Sequence, residues 1–405
     1  MRNLDTLKLI FTLVIVGNLS MNITKAQTWT TQTSNSTEDL RAVNFYDLNT
    51  GIASGINGAI VTTTDGGSTW VPRTSGVSTV LLSVFMADAL TAYAVGMNGT
   101  IVKTSDGGTT WTAQTSGTTK SLYNVFFVSP LTGWAVGETG LIKATTDGGT
   151  TWTTQTSGVT TTLNALCFTS ATEGWITGNG TGTSNTVLHT ADAGVTWQPQ
   201  TAPAGSYYDI SFINSNEGWI IGPYGAFANT TDGGTTWTDI AFNYSFQAWG
   251  VQFVSSTKGW MQVGSATNQN NSIKTTNDGG ISWQGSPSPV NVVADDIFFI
   301  NANTGWAVGN DGIILKYSSG TGIDNFDDNS AISVYPNPTK DFLNIENIES
   351  NTYVELCSIL GNTIIAQKNN NSEKMQLDIR NLSKGLYFLK IENNRNKSIR
   401  TIVLQ

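Results

Sequence analysis

The segment Thr145-Thr146-Asp147-Gly148-Gly149-Thr150-Thr151-Trp152 occurs in six related copies along the chain, and the architecture follows from it. We expect each aspartate to accept backbone N–H groups two residues further on, while the glycines allow positive φ at little steric cost. The threonines suit an adjoining strand, and the tryptophan offers a large apolar surface for packing. Each copy is therefore interpreted as a structural hairpin turn with an aromatic anchor. The anchoring residues are Asp65 and Trp70, Asp106 and Trp111, Asp147 and Trp152, Asp192 and Trp197, Asp232 and Trp237, and Asp278 and Trp283.

A second motif, Gly133-Trp134-Ala135-Val136-Gly137, recurs in step with these turns, whose aspartates are 40 to 46 residues apart. Its other copies begin at Gly51, Ala92, Gly174, Gly218, Gly259 and Gly305, which makes seven. Each repeat holds four short segments with strand character. A period of this length with four strands is typical of a β-propeller blade. The sequence therefore predicts an all-β fold with a seven-bladed propeller over residues 27–318.

The two ends of the repeat region complement each other. The seventh repeat runs through Gly312-Ile313-Ile314-Leu315-Lys316-Tyr317 but lacks the aspartate turn and the strand after it. The segment Thr28-Trp29-Thr30-Thr31-Gln32 has the character of that missing outer strand. We expect it to complete the last blade and close the ring, which leaves no long unpaired edge.

Residues 1–26 have the pattern of a secretory signal peptide. The apolar run Leu9-Ile10-Phe11-Thr12-Leu13-Val14-Ile15-Val16 follows a positively charged start, and small residues precede an expected cleavage between Ala26 and Gln27. The alternative, an uncleaved anchor, is weaker because the apolar run is too short to span a bilayer. No later segment is long and apolar enough, so the mature chain is predicted to have no transmembrane segment.

The composition changes after Ser318. Residues 319–331 are small and acidic and are predicted to be a linker, whereas residues 332–405 are rich in lysine and asparagine and have no tryptophan. Six or seven short strands in this C-terminal region predict a small β-sandwich. Two local motifs mark the region, one made of Tyr335, Pro336, Asn337 and Pro338 and the other of Gly385, Leu386 and Tyr387.

These motifs resemble those of two known families. The aspartate turns with the Gly-Trp motif in step resemble Asp-box (BNR-type) propellers, and especially the photosystem II stability/assembly factor family. The C-terminal region is similar to the sorting domain of type IX secretion cargo, although Leu404-Gln405 lacks the basic terminal residue often found there. The second resemblance implies passage to the periplasm and recognition by the type IX secretion machinery. The protein would then be secreted or attached to the outer-membrane surface.

Several chemistries are unsupported by the residues present. Residues 27–330 carry eight basic against twenty-one acidic side chains, which argues against nucleic-acid binding. Sialidases of this repeat class clamp a carboxylate with three arginines, whereas this region has only Arg41 and Arg73. The single histidine, His189, is expected to be a surface or packing residue, and Cys167 and Cys357 are expected to be buried free thiols. With one histidine and no cysteine pair, no metal site or cofactor is expected.

One enzymatic alternative stays open, a glycoside hydrolase with paired carboxylates. Large xyloglucan-type hydrolases of this repeat class place the cleft between two tandem propellers, whereas one is predicted here. A non-catalytic interaction module is therefore the preferred interpretation. The candidate acids of the alternative are Glu38, Asp39, Glu138, Asp209, Asp295, Asp296 and Asp311.

A binding surface is expected where the repeats differ, because loops and exposed positions on a rigid scaffold often carry function. One variable column lies at the start of the innermost strands and comprises Arg41, Leu82, Tyr123, Asn164, Tyr208, Trp249 and Asp295. Two connecting loops, 178–187 and 264–273, are also enlarged. We predict a recognition surface for a glycan, an extended peptide or a surface protein, unless its aromatic residues only pack between blades. That surface is centred on Tyr207, Tyr208, Phe242, Tyr244, Phe246 and Trp249.

Overall fold

The computed structural model describes residues 28–180, 185–240, 247–264, 272–286, 294–319, 332–348, 352–358, 363–369, 373–392 and 397–404. The chain divides into two compact units, Met1–Gly320 and Thr321–Gln405. The predicted signal peptide, its cleavage site between Ala26 and Gln27, and nearly all of the predicted linker lie outside the described residues. In the described part of the chain, no helix is long and apolar enough to cross a membrane.

The described residues of the first unit form four-stranded antiparallel sheets, one for each of the seven sequence repeats. We number the sheets in chain order by their innermost strands. Sheet 1 comprises Leu40–Phe45, Gly51–Gly55, Ala59–Thr63 and Val71–Thr74. Sheet 2 comprises Leu81–Met86, Ala92–Gly96, Ile101–Thr104 and Thr112–Ala113. Sheet 3 comprises Leu122–Phe127, Gly133–Gly137, Ile142–Thr145 and Thr153–Gln155. Sheet 4 comprises Leu163–Phe168, Gly174–Gly178, Thr186–Thr190 and Gln198–Pro199.

The remaining sheets follow the same order of strands. Sheet 5 comprises Asp209–Phe212, Gly218–Ile221, Phe227–Thr230 and Thr238–Asp239. Sheet 6 comprises Gln247–Phe253, Gly259–Gly264, Ser272–Thr276 and Gln284–Gly285. Sheet 7 comprises Ala294–Asn301, Thr304–Gly309, Ile314–Ser318 and, as its outer strand, Thr28–Gln32. Short 3-10 turns join the second and third strands at Ile56–Gly58, Met97–Gly99, Glu138–Gly140 and Asn310–Gly312.

The sheets form a closed ring. The inner strand of each sheet packs against that of the next, and the inner strand of sheet 7 packs against that of sheet 1. Thr28–Gln32 pairs with Ile314–Ser318 over five residues, so the N-terminal strand completes the last sheet as predicted. Trp29 is 3% exposed and takes the place that the tryptophan of an aspartate turn has in other sheets.

An aromatic sandwich links each sheet to its neighbour in most of the ring. Phe168 of sheet 4 stacks on Trp134 of sheet 3, with ring centroids 3.8 Å apart, and meets Trp197 of its own sheet edge to face. The ring of Phe168 also covers Gly174, because a Cβ at that glycine would lie 2.5 Å from it. The glycine of the Gly-Trp motif is therefore required by the close approach of the phenylalanine. Trp29 completes the same arrangement at sheet 7, where it meets Phe299 edge to face.

Where the motif is degenerate, the sizes of the substituted side chains in adjacent sheets match one another. Sheet 2 has Met86 where the six other sheets have phenylalanine, and Ala92 where they have glycine. The residue opposite Met86 in sheet 1 is Ile52 in place of tryptophan, and both side chains belong to one buried cluster. A flexible methionine leaves room for the alanine Cβ and fills the space that a smaller isoleucine leaves.

The aspartate turns use a different hydrogen-bond pattern from the predicted one. Asp147 Oδ1 accepts the N–H of Thr151, four residues on, at 2.9 Å, and Oδ2 accepts the Thr151 hydroxyl at 2.6 Å. The N–H two residues on, at Gly149, instead donates to Thr145 Oγ1 at 2.8 Å. The prediction of a bond two residues on was therefore wrong, because the threonine hydroxyl already occupies that donor. These bonds lower the pKa of the turn carboxyls, to about 2 at Asp106 and Asp278.

The second unit is a β-sandwich of two sheets, as predicted. One sheet is formed by Ser333–Tyr335, Phe342–Glu346 and Lys374–Asp378. The other is formed by Thr363–Lys368, Tyr353–Ser358, Gly385–Glu392 and Lys397–Leu404. Side chains from both sheets share one buried core, to which Leu343, Leu377, Leu356 and Leu389 belong.

The conspicuous motifs of the second unit tie its strands together. Asn337 Oδ1 accepts the N–H of Val403 in the last strand at 2.9 Å. Tyr387 is 8% exposed and donates its hydroxyl to the Ser383 carbonyl at 2.8 Å. Tyr335 is 44% exposed and lies at the surface of this unit. Asn337 and Tyr387 therefore stabilise the fold of this unit, whereas the side chain of Tyr335 is accessible to solvent.

Candidate binding surface at the channel mouth

The variable column predicted from the sequence coincides with a β-bulge. In sheets 1, 2, 3, 4, 6 and 7 the register between the first two strands shifts at this residue. In sheet 5 the corresponding residue, Tyr208, lies just before the inner strand and donates its N–H to the Ile221 carbonyl. A bulge re-aims the side chain of its extra residue away from the pleat. We call this set the mouth residues: Arg41, Leu82, Tyr123, Asn164, Tyr208, Trp249 and Asp295.

The inner strands face the channel with an unpaired edge, and side chains of the preceding sheet satisfy several of their N–H groups. Asp296 Oδ2 of sheet 7 accepts the N–H of Val43 in sheet 1 at 2.8 Å. Asp209 Oδ2 of sheet 5 accepts the N–H of Val251 in sheet 6 at the same distance. Neutral groups act in the same way elsewhere, as when Asn44 Oδ1 accepts the Met86 N–H at 2.9 Å. These two carboxyls therefore hold adjacent sheets together.

Burial makes the two channel carboxyls unusual. It raises the pKa of Asp209 to about 7 and that of Asp296 to about 8, against the lowering effect of the N–H groups that they accept. From the sequence, both residues were expected only as candidate acids. Their role as connectors between sheets was missed, because it depends on which strand of a neighbouring repeat lies opposite.

The mouth carries a charged pair on one side of the ring. Arg41 Nη1 of sheet 1 lies 2.9 Å from Asp295 Oδ1 of sheet 7, and its Nη2 lies 3.1 Å from Asp39 Oδ2. Burial raises the pKa of Asp295 to about 6, although Arg41 opposes this. Two mouth residues from adjacent sheets thus compensate each other, and the guanidinium is already engaged by two carboxylates.

The mouth carries an aromatic pair between sheets 5 and 6. The rings of Tyr208 and Trp249 are stacked, with centroids 5.1 Å apart and planes 12° apart. Twelve of the thirteen tryptophans are buried, whereas Trp249 is 44% exposed. The structure therefore brings together two of the predicted surface aromatics and leaves them accessible.

Tyr207 does not belong to this surface. Its side chain is 1% exposed, and its hydroxyl donates to the Pro203 carbonyl at 2.8 Å. It occupies the position before the bulge, where other sheets place a buried leucine such as Leu163, so it points into the core. The prediction that Tyr207 contributes to recognition was wrong for that reason.

Two other mouth residues already make hydrogen bonds within the propeller, and three of the predicted surface aromatics lie outside the described residues. Asn164 Nδ2 donates to the Tyr207 carbonyl and to Asn179 Oδ1, both at 2.9 Å. The Tyr123 hydroxyl lies 3.4 Å from Glu138 Oε1. Phe242, Tyr244 and Phe246 lie outside the described residues, as does most of the enlarged loop 264–273.

The remaining sequence candidates lie away from the mouth. His189 Nε2 lies 2.6 Å from Glu173 Oε1, beside Trp175, which fits the predicted surface or packing role. Both cysteines are free; Cys357 is buried as expected, whereas Cys167 is partly exposed. Within the described ranges, no group of three or more histidine, cysteine, aspartate or glutamate side chains is placed to hold a metal ion.

Comparison with known proteins supports both parts of this architecture. Residues 21–112 and 111–202 match the family described as photosynthesis system II assembly factor YCF48. Residues 333–405 match the family described as secretion system C-terminal sorting domain. The first match covers the region of the N-terminal strand and the early sheets, and the second covers the sandwich.

Individual relatives agree with these families. The chain is 27% identical over 109 residues to the chloroplastic photosystem II stability/assembly factor HCF136 of Arabidopsis thaliana, which is 25% of this chain and 26% of that protein. Thus the match spans about a quarter of the curated relative. The solved structure of YCF48 bound to D1 peptide is similar at a TM-score of 0.60, with 20% identity over 74% of this chain and 99% of that one.

A hydrolase shares the fold as well. The GH74 xyloglucanase from Xanthomonas campestris is similar at a TM-score of 0.59, with 12% identity over 80% of this chain and 60% of that one. At such identities the structural likeness concerns the fold alone. Together, the repeats, the ring of sheets and the matched families identify the chain as a β-propeller like the photosystem II assembly factors, followed by a secretion system C-terminal sorting domain.

Proposed function

We propose that the chain is an exported, non-catalytic binding module whose propeller recognises an extended peptide at the channel mouth. The observation that carries the proposal is the stacked pair of Tyr208 and Trp249, of which Trp249 is the single exposed tryptophan. Aromatic side chains with an exposed face supply large contact area at low conformational cost. The sorting domain would pass the protein to the type IX secretion machinery, and the propeller would act outside the cell or on the outer-membrane surface.

The form of the mouth favours a peptide over a glycan. Each innermost strand lies at an edge of its sheet, and the bulges occur at the same position of neighbouring innermost strands. The similar YCF48 protein has been solved with a bound D1 peptide, so a propeller of this kind can hold a peptide. No photosystem partner is implied for this chain.

Binding by the mature protein to synthetic peptide and glycan arrays tests this proposal. We expect peptide retention by the wild type and its loss in the double variant Tyr208→Ala and Trp249→Ala. Tyr46→Ala is the matched control, since Tyr46 is a 50% exposed aromatic in a turn at the opposite end of the inner strand. Retention of glycans alone, or equal retention by the double variant, would contradict the proposal.

A glycoside hydrolase is the second candidate, and one observation favours it. Burial raises the pKa of Asp295 to about 6 at the mouth beside Asp296, and a carboxyl whose pKa is raised toward neutral pH is suited to general acid catalysis. Against it, Asp296 accepts the N–H groups of Val43 and Ile297, so that carboxyl already has a structural role. Release of reducing ends from xyloglucan by the purified protein, abolished by Asp295→Asn, would establish the hydrolase instead.

A further inference from the structure

Three consecutive sheets carry an exposed leucine on the face of the ring opposite the mouth. Leu48 of sheet 1 is 50% exposed, and Leu90 of sheet 2 and Leu131 of sheet 3 are each 59% exposed. All three lie in the turns that join the first and second strands of their sheets, and we call this set of turns the leucine face. In sheets 4 to 7, alanine or serine takes the position of Leu48. The position of the other two leucines is polar in those sheets and holds Thr172, Asn216, Thr257 and Asn303.

Hydrogen bonds hold the turns of the leucine face in place. In sheet 3 the carbonyl of Leu131 accepts the N–H of Gly148 at 2.9 Å, which ties this turn to the aspartate turn of the same sheet. The carbonyl of Leu90 accepts the corresponding N–H in sheet 2 at the same distance. The two sheets are also joined at this face, since the hydroxyl of Tyr93 donates to the carbonyl of Pro130 at 2.9 Å. Fixed turns present the leucines, which lowers the cost of ordering them when a partner binds.

Acidic side chains accompany the three leucines. In the aspartate turns of sheets 1 to 3, hydroxyl and backbone N–H groups four residues on lower the pKa of the carboxyls. Two backbone N–H groups likewise lower the pKa of the carboxyl that adjoins Leu48. A fifth carboxyl accepts the N–H of Leu90 at 2.7 Å. The five acidic residues are Asp47, Asp65, Asp88, Asp106 and Asp147.

Two lysines reach the same turns, and both use their ammonium groups within the propeller. Lys103 Nζ donates to the Gly148 carbonyl at 2.7 Å, and Lys316 Nζ donates to the Gly66 carbonyl at 2.9 Å. Five carboxyls therefore accompany two ammonium groups, and the leucine face is negatively charged. Such a face repels both the anionic headgroups of a lipid surface and a second copy of itself, whereas it attracts a basic partner.

We propose that the leucine face binds a basic amphipathic segment of a partner protein, whose apolar side covers the leucines while its lysines or arginines face the aspartates. Single exposed apolar residues are ordinary, but three in consecutive sheets on a charged surface are typical of an interaction site. The leucine face lies at the opposite end of the inner strands from the channel mouth, so this inference does not depend on peptide binding there.

Binding of labelled synthetic peptides to the mature protein tests this proposal. The probe is an amphipathic helix of leucine and lysine. One comparison peptide has glutamate in place of every lysine, and the other has the same composition as the probe with its leucines distributed around the helix. We expect fluorescence anisotropy to detect binding of the probe, and both comparison peptides to bind about tenfold or more weakly.

Variants assign the binding to the leucine face. Replacement of Leu90 and Leu131 together by serine should weaken binding of the probe about tenfold, because two apolar contacts are lost. Replacement of both by methionine keeps the apolar surface and should preserve binding. The matched control is Val195→Ser with Ile281→Ser, since these side chains are 81% and 80% exposed in the aspartate turns of sheets 4 and 6. This control variant should bind the probe as the wild type does.

Several results would overturn the inference. Absence of binding, equal binding of the glutamate peptide, or an equal loss in the control variant would show that the leucines and aspartates do not form a site. Loss of probe binding only in Tyr208→Ala with Trp249→Ala would place the peptide at the mouth. Self-association of the protein, or its binding to phosphatidylglycerol vesicles, that is abolished by the two serine substitutions would assign the leucine face to a second copy or to lipid. Thermal unfolding of each variant, followed by tryptophan fluorescence, verifies that the propeller is folded.

Discussion

Replacement of Trp29 by alanine tests whether the N-terminal strand holds the ring closed. Trp29 is 3% exposed and packs against Phe299 and Tyr317, with ring centroids 5.8 Å and 5.3 Å away. Its Nε1 donates to Ser286 Oγ of the neighbouring sheet at 2.8 Å. A tryptophan buries roughly 150–250 Å², and removal of a buried aromatic to alanine costs about 3–5 kcal/mol. We expect Trp29→Ala to lower the free energy of unfolding by that amount.

Two further substitutions separate the apolar contribution of Trp29 from the contribution of its hydrogen bond. Trp29→Phe keeps most of the apolar contact and removes the donor, so it should cost about 1–2 kcal/mol. Ser286→Ala leaves the indole N–H unpaired and should cost about 1 kcal/mol. Because these two changes remove the same hydrogen bond, their effects should not add.

Urea unfolding followed by tryptophan fluorescence is the appropriate assay. All thirteen tryptophans lie between residues 29 and 306, so the signal reports the propeller and not the sorting domain. Trp197→Ala is the matched control, since Trp197 meets Phe168 in sheet 4 as Trp29 meets Phe299 in sheet 7. A cost for Trp29→Ala below about 1 kcal/mol, beside a full cost for Trp197→Ala, would show that the terminal strand is frayed and refute ring closure by this strand.

Three other predictions follow from contacts within the propeller. Gly133→Ala should lower the free energy of unfolding in urea by about 1–3 kcal/mol, because its Cβ would lie 2.5 Å from the Phe127 ring. A second substitution, Phe127→Met, should recover part of this loss, since sheet 2 pairs Met86 with Ala92 at the same positions. Additive losses in the double variant would contradict this explanation. Burial raises the pKa of Asp209 to about 7 and of Asp296 to about 8, so the stability that these protonated carboxyls contribute is full below about pH 4 and is lost as pH rises from there through the folded-state values. Asp296→Asn should therefore raise the melting temperature at pH 8 and change it little at pH 4; an equal change at both pH values would contradict this. Hydrogen bonds lower the pKa of Asp106 and Asp278 to about 2, so their stabilisation is present above pH about 4 and is lost as pH falls toward 2; a melting temperature constant from pH 4 to 2 would refute this.

Much of the fold could be predicted from the sequence, because each repeat carries its own turn and packing signals. The glycines at Gly148 and Gly149 adopt positive φ of 69° and 82°, and the tryptophan that follows is buried, as the pattern predicts. The hydrogen-bond geometry inside the turn could not be predicted from the sequence. Thr145 and Asp147 both offer oxygens, and only the folded backbone decides which oxygen meets which N–H.

The candidate surface could be predicted only in part from the sequence. The variable column was found by alignment of repeats, and its coincidence with the β-bulge gives it a physical basis. The neighbouring tyrosines Tyr207 and Tyr208 could not be told apart, because a shift of one residue separates a core position from a mouth position.

Periodicity, the positions of the turns and the matching chain ends were determined by the sequence alone, because they depend on residues near one another in a repeat or repeated at fixed spacing. The stacking of Tyr208 on Trp249 and the pairing of Arg41 with Asp295 were decided only by the tertiary structure. Each of these joins residues from different repeats. Their contact depends on how the sheets are arranged around the ring, and no local pattern encodes that arrangement.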